Sequence, residues 1–484
     1  MVFTSFAFCF FFAALLLTMG ILSFPVIADR MGNGVRRVVL LISCYVFYGW
    51  WDWRLCFLLL GITLTAYFTA IHIEKHRDAK IGLFFGIAVP LLVLTVCKYT
   101  NFFLGSFRQT FGLDDMGTLK IILPLGISFY TFQSVGYIVD VHRGKQAPVH
   151  DLVKYSLFAA FFPVIVSGPI MRANDFFSQL EEDRRINPAN LAEGAQIFLF
   201  GLAKKLVFAD HLALFVNQVY GAPSAFHSGT VFLATISYSL QLYFDFSGYS
   251  DMAIGCAKCL GFDLKKNFNI PYLSRNVTEF WKRWHISLSS WLMDYLYIPL
   301  GGNRKGQKRT YINLIATMVL GGLWHGANWT FIIWGLLHGL ILAFHKFYLL
   351  IRKLPKNHRS NNPVTVILSI LMTFMIVNFT WVFFRADSFG QALVIIKRIF
   401  QWEAGVVHHY VWSYISIAIT LICTGVAFMK SRKADGFLAE SVVEGFYPVF
   451  NLNKFWSLVL VLFAAGLILG LAFTGGNPFI YLQF

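Results

Sequence analysis

Apolar residues along this chain come in long runs rather than in strict alternation. Runs near the roughly 20 residues that a helix needs to cross a bilayer are read near 6–28, 38–51, 55–73, 81–99, 119–139, 155–170, 191–220, 228–256, 311–325, 329–350, 364–384, 410–428 and 455–473. Several of these runs are short or interrupted, so the pattern predicts about eleven true crossings, with the others re-entering without spanning. Backbone inside hydrocarbon must satisfy its own hydrogen bonds, so the spans should be helices, and their length and continuity exclude a β-barrel. The expected fold is an all-α polytopic membrane protein with re-entrant or interfacial helices, forming one membrane domain over residues 1–484.

Two stretches depart from a plain spanning pattern. "RNVTEFWKRWHISLSSWLMDYLYIPLGGNR" is rich in Trp and Tyr but carries too many charges to face lipid along its length. Trp281, Trp284, Leu288 and Trp291 recur at three- and four-residue spacing, an amphipathic stripe, and Trp and Tyr favour the membrane interface. An interfacial or re-entrant helix is expected there, with His285 one turn from Trp281. The second stretch is "LGGLWHGANWTFIIWGLLHG", residues 320–339. Gly326 costs about 1 kcal/mol in a helix interior relative to Ala, and Asn328 favours local non-helical bonding. A break beside His325, where the chain turns back, is therefore expected.

Composition agrees with a membrane protein: 57% of the 484 residues are hydrophobic and 13% charged, against roughly 45–50% apolar and about 25% charged in soluble domains. The net charge of +16 does not point to nucleic acid, because the basic residues sit at the ends of apolar runs. They orient the protein instead. Residues 258–309 hold ten Lys or Arg against three acids, which predicts a cytoplasmic face. The loop 346–359, with Lys346, Arg352, Lys353, Lys356 and Arg359, and the patch at Lys430, Arg432 and Lys433 should face the same side. One further run then sends the C-terminal "GGNPFIYLQF" outward. The opening run exceeds the apolar core of a signal peptide and is expected to stay as a membrane helix. Seven cysteines lie in or beside apolar runs without a disulfide or metal framework.

Candidate chemistry centres on histidine, since a neutral imidazole can take a proton from a hydroxyl. His325 adjoins the expected break, where Trp324 and Trp329 could wall a narrow site. His285 is the second candidate. His338 lies thirteen residues beyond His325, on nearly the opposite side of a continuous helix, so the two share a site only if the backbone breaks between them. Asp245 and Asp251, with Tyr249 between them in "YFDFSGYSDMAIG", are costly in an apolar run unless paired or facing water. They would either orient an imidazole and line a polar path, or form a structural ion pair with Lys204 or Lys205. Asp210 is expected to end a helix and pair locally. No phosphate-binding loop, GxSxG elbow, HExxH or paired CxxC is present. A base without an evident protein nucleophile suits direct attack by a substrate hydroxyl on an activated acyl group.

The ordered motifs "LPLGISFYTFQSVGYIVDVHRG", "FDFSGYSDMAIG", "NFNIPYLSRNVTEFWKRWHISLSSWLMDYLYIPLGGNR", "LGGLWHGANWTFIIWGLLHG" and "NPFIYLQF" resemble the membrane-bound O-acyltransferases, in particular the bacterial branch for alginate and peptidoglycan O-acetylation. The motif-bearing core covers about 120–350, with a tail at 475–484. The resemblance implies about eleven spans around a central tunnel, with His325 catalytic at the membrane centre and His285 on the cytoplasmic donor path. Trp284, Trp324, Asn328, Trp329, Asp245, Tyr249, Asp251 and His338 are the candidates for lining such a tunnel or substrate path. The resemblance also implies Tyr481 as an acyl shuttle, where the residues alone suggest an interfacial anchor. No bound cofactor or metal is expected; the cosubstrate would be a cytoplasmic acyl thioester, acetyl-CoA or an acyl carrier protein. Expected partners are an extracytoplasmic acetyltransferase of SGNH type, an envelope polysaccharide and the lipid bilayer, with the chain in the bacterial inner membrane. Transfer of D-alanine or to a lipid remains open, and so does a transporter of a small solute or glycan.

Overall fold

The computed structural model describes residues 1–76, 80–112, 119–182, 184–355, 362–433, 449–473, 475 and 479–480. Every named element among them is helical, and the only strand-like pairing is an isolated bridge between Phe226 and Val406. Large apolar side chains point outward along these helices, Phe6 at 86% and Phe10 at 76% exposure, an arrangement suited to lipid rather than water.

Among the described residues, four helices are long and apolar enough to cross a membrane: Leu55–Lys75, Lys80–Phe111, Trp329–Ile351 and Pro363–Arg385. Phe6–Ile21 and Pro25–Gly49 pass together as a pair bent by 113°. The apolar runs outnumber these because several fold as shorter pieces. In the run 119–139 the helix starts only at Ile127, behind Pro124 and Gly126. Gly126 has φ 71°, and a Cβ there would lie 2.0 Å from the Ile165 carbonyl oxygen, so no other residue fits. The run 155–170 divides at Phe161 into Leu152–Ala160 and Phe162–Ile165, where Pro163 cannot continue a helical hydrogen-bond ladder.

The chain forms two compact units, Met1–Leu199 with Tyr249–Lys265, and Phe200–Gly248 with Lys266–Phe484. The first is built on aromatic packing, including Phe3 against Phe8 at 4.9 Å and Phe47 against Phe162 at 5.2 Å between ring centroids. The second is organised around an antiparallel hairpin of Gly306–His325 and Trp329–Ile351. These helices lie close because Gly335 faces the Met318 carbonyl, where an added Cβ would come within 2.3 Å. Pro363–Arg385 packs beside them. Starts in this unit follow N-cap chemistry: the side chains of Asn276, Asn328, Asn362 and Ser388 each accept a backbone N–H of their own first turn.

Candidate active site

His325 ends the Gly306–His325 helix, and Gly326 continues in extended conformation. A Cβ on Gly326 would sit 2.1 Å from the Phe331 ring, so the smallest residue lets that ring close over the turn. Asn328 starts the return helix by accepting the Thr330 N–H at 3.1 Å, and its Nδ2 donates to the Asp387 carbonyl at 3.1 Å. The turn expected at "HGAN" is thus formed and fastened. The His325 side chain is buried against Trp324, Trp334 and Phe384, with ring centroids at 5.0, 5.0 and 5.3 Å.

His285 occupies a second break. The expected amphipathic helix is in fact two short ones, Val277–Arg283 and Ile286–Leu292, joined through Trp284 and a left-handed His285 at φ 43°. Asn276 caps the first, and Glu279 pairs with Arg283 one turn on at 2.8 Å. Trp284 turns fully inward, stacked on Phe280 at 5.6 Å and packed on Trp381 at 5.0 Å. Asn267 Oδ1 accepts from the Ser287 N–H at 3.2 Å and the Ser287 hydroxyl at 2.9 Å. The same oxygen lies 3.2 Å from His285 Nδ1, which places the imidazole proton on Nδ1 and the lone pair on Nε2. The rings of His285 and His325 are 6.4 Å apart, and Trp324 lies 5.8 Å from His285. Two helix breaks, 40 residues apart in sequence, thus bring the two leading candidates together.

His338 is fully engaged. Thr380 donates its hydroxyl proton to the Val377 carbonyl at 2.7 Å, so its oxygen accepts from His338 Nε2 at 2.9 Å. Trp281 Nε1 donates to His338 Nδ1 at 3.3 Å. Because the backbone breaks after His325, both histidines meet the Trp334 ring, at 5.0 and 4.9 Å.

Other expectations land differently. Trp329 is turned outward, 55% exposed, because it is the first residue of the return helix; only Trp324 of that pair packs on His325. Asp245 takes the ion-pair alternative, with Lys205 Nζ 2.6 Å from its carboxylate and 2.8 Å from that of Asp210. Tyr249 and Asp251 belong to the first unit, where Tyr249 stacks on Phe3 at 4.9 Å, whereas the histidines belong to the second. Tyr481 lies outside the described residues, as do Lys356 and Arg359. Asn267, Trp334, Trp381, Phe384 and Thr380 were not singled out by pattern. Aromatic residues inside an apolar run carry no periodic mark of a site, but Asn267 in "NFNIPYL" is a buried-type motif whose amide needs partners.

A helical membrane protein that gathers two imidazoles at buried helix breaks has the makings of an enzyme working inside the bilayer. Residues 145–385, which contain both breaks, match the model of MBOAT, the membrane-bound O-acyltransferase family. "Probable alginate O-acetylase AlgI" of Pseudomonas aeruginosa is 42% identical over 411 residues, covering 83% of this chain and 75% of that protein. Its namesake in Pseudomonas putida is 37% identical over the full length of both. The peptidoglycan O-acetyltransferase of Helicobacter pylori is 37% identical over 75% of this chain and 73% of its own. The chain belongs to the membrane-bound O-acyltransferase family. It is accordingly an O-acyltransferase and a multi-pass membrane protein, and the transporter alternative falls away.

Proposed function

We propose that this protein is an O-acetyltransferase of the bacterial inner membrane that passes an acetyl group from a cytoplasmic thioester to an envelope polysaccharide, alginate or peptidoglycan in type. The names of its relatives support the acetyl group and the polymer class. The observation that carries the mechanism is the pairing of His325 with His285, 6.4 Å between rings at two buried helix breaks.

In this reading His325 takes the proton of an acceptor hydroxyl as its oxygen attacks the thioester carbonyl. The tetrahedral intermediate collapses with cleavage of the C–S bond, and the departing thiolate recovers the proton from the imidazolium, giving an ester and a free thiol. Such a base contributes about 10²- to 10⁴-fold in rate. His285, oriented by Asn267, directs a basic nitrogen along the donor path, which Trp284 and Trp324 wall. The basic residues of 258–309 suit a phosphorylated, anionic donor such as acetyl-CoA. Tyr481 is the first acceptor, and its ester then passes to an SGNH-type acetyltransferase outside the membrane.

Ester content of the envelope polymer, measured in a deletion strain carrying single variants, tests both roles. His325→Ala should lose nearly all of the ester; wild-type acetylation in that strain would overturn the assignment of the base. Tyr481→Phe keeps the ring without the hydroxyl, and full acetylation there would remove the shuttle while leaving direct transfer standing.

A further inference from the structure

The Lys205, Asp210 and Asp245 side chains form a charged cluster that the mechanism above does not use, and all three are 2–3% exposed. Burying three charges is costly unless each finds partners of good geometry. One ammonium between two carboxylates leaves an excess negative charge, which calls for further donors.

The local fold makes this cluster. Residues Lys204–Ala209 form a π-helical turn, and the Asp210 N–H closes onto the Lys205 carbonyl. Five-residue spacing is one π turn, so Lys205 and Asp210 face each other, as they would not on an α-helix. Asp245 approaches on the Ser228–Cys259 helix.

The C-terminal tail meets the cluster at three points. Asp245 spends one oxygen on Lys205 and accepts the backbone N–H of Ile480 on the other at 2.8 Å. The Lys205 ammonium lies 4.4 Å over the Phe479 ring centroid, a favourable cation–π position. Upstream, the Phe473 N–H donates to the Leu206 carbonyl at 3.1 Å, within the same π turn. Phe479 and Ile480 are buried, at 2% and 6% exposure. Ile480 joins the apolar cluster that includes Trp284, Trp334, Trp381 and Phe384, the rings that surround the candidate site.

We infer that Lys205 and Asp245, aligned by the π turn, are positioning residues that seat the C-terminal segment by its backbone and so fix the chain immediately before Tyr481. This rests on the reading in which that segment takes part in transfer. The contact is to a main-chain N–H and a ring, so the seat sets the register of the segment that leads to Tyr481.

The test uses the full-length protein in nanodiscs, with hydrogen exchange of the C-terminal peptide and, as a separate readout, steady-state thiol release from acetyl-CoA with an SGNH-type acetyltransferase and its polysaccharide present to take up the acetyl group. Ile480→Pro removes the Ile480 N–H that Asp245 accepts and leaves the ion cluster intact; Asp245→Ala removes the acceptor, with Lys205 still paired to Asp210. Asp245→Ala should speed exchange of the Ile480 amide by about tenfold or more, the loss of one charge-assisted hydrogen bond; Ile480→Pro, which has no amide at 480, is read by turnover. Both should also lower kcat while KM for acetyl-CoA stays within about twofold. Asp245→Asn, which retains an oxygen acceptor, should recover part of both. Wild-type exchange of the Ile480 amide in Asp245→Ala overturns the seat, as does wild-type kcat in either variant. Tyr481→Phe separates the two proposals: with the seat correct its Ile480 amide stays protected, even if undiminished thiol release shows that Tyr481 is not the acceptor.

Discussion

His325 and His338 stand on the same helical hairpin and touch the same Trp334 ring, yet their settings differ in kind. His338 sits inside a helix, its two nitrogens held by Trp281 and Thr380 from neighbouring segments. His325 sits where a helix stops, packed by the faces and edges of Trp324, Trp334 and Phe384. An imidazole whose donor and acceptor are both committed locks helices together. One at a chain break, framed by rings, lies beside backbone that has left the helical ladder, which in a membrane is tolerated only where protein or a cavity receives it. Position relative to the break, more than burial or residue type, separates a structural histidine from a candidate base.

The largest expected effect is on chemistry. His325→Gln preserves polarity and much of the volume but cannot act as a base, and should lower kcat for acetyl transfer by about 10²- to 10⁴-fold while the melting temperature in detergent stays near wild type. His338→Ala should invert this pattern. Leaving Trp281 Nε1 and Thr380 without their shared partner costs about 1–3 kcal/mol, read as a lower unfolding midpoint, with kcat changed only a few-fold. If His338→Ala were as inactive as His325→Gln at full stability, the contrast would collapse. The smallest effect probes the break itself. Asn328→Ala removes the cap of the return helix at about 1 kcal/mol, and should loosen the turn enough to raise hydrogen exchange at 326–330 before it alters turnover.

Much of this contrast was legible in the chain. Gly326 and Asn328 marked the turn because neither residue favours a helix interior, and the same local chemistry placed His325 at its edge. The break at His285 was not legible: Trp281, Trp284, Leu288 and Trp291 keep helical spacing straight through it. What interrupts that helix is Asn267, whose Oδ1 gathers His285 and Ser287 from across a loop, a tertiary contact that no local period encodes. The outward turn of Trp329 escaped for a similar reason, since spacing fixes a face only within one helix and the break resets it. For Asp245 the sequence left Lys204 and Lys205 as equal partners, and the π turn decides between them by rotating Lys205 toward both carboxylates.

That turn also makes the protein unusually sensitive to chain length at one point. A π turn accommodates an extra residue relative to α-helical winding, so deleting any one residue between 204 and 209 would leave a sterically ordinary α-helix. The hydrophobic composition would hardly change. With the gap between them, Lys205 and Asp210 would then stand four residues apart, still on one face of an α-helix, but the widened turn whose Leu206 carbonyl receives the Phe473 N–H would be gone. A one-residue gap here would therefore be silent to hydropathy and to helix propensity, and costly to a tail more than 260 residues further along the chain.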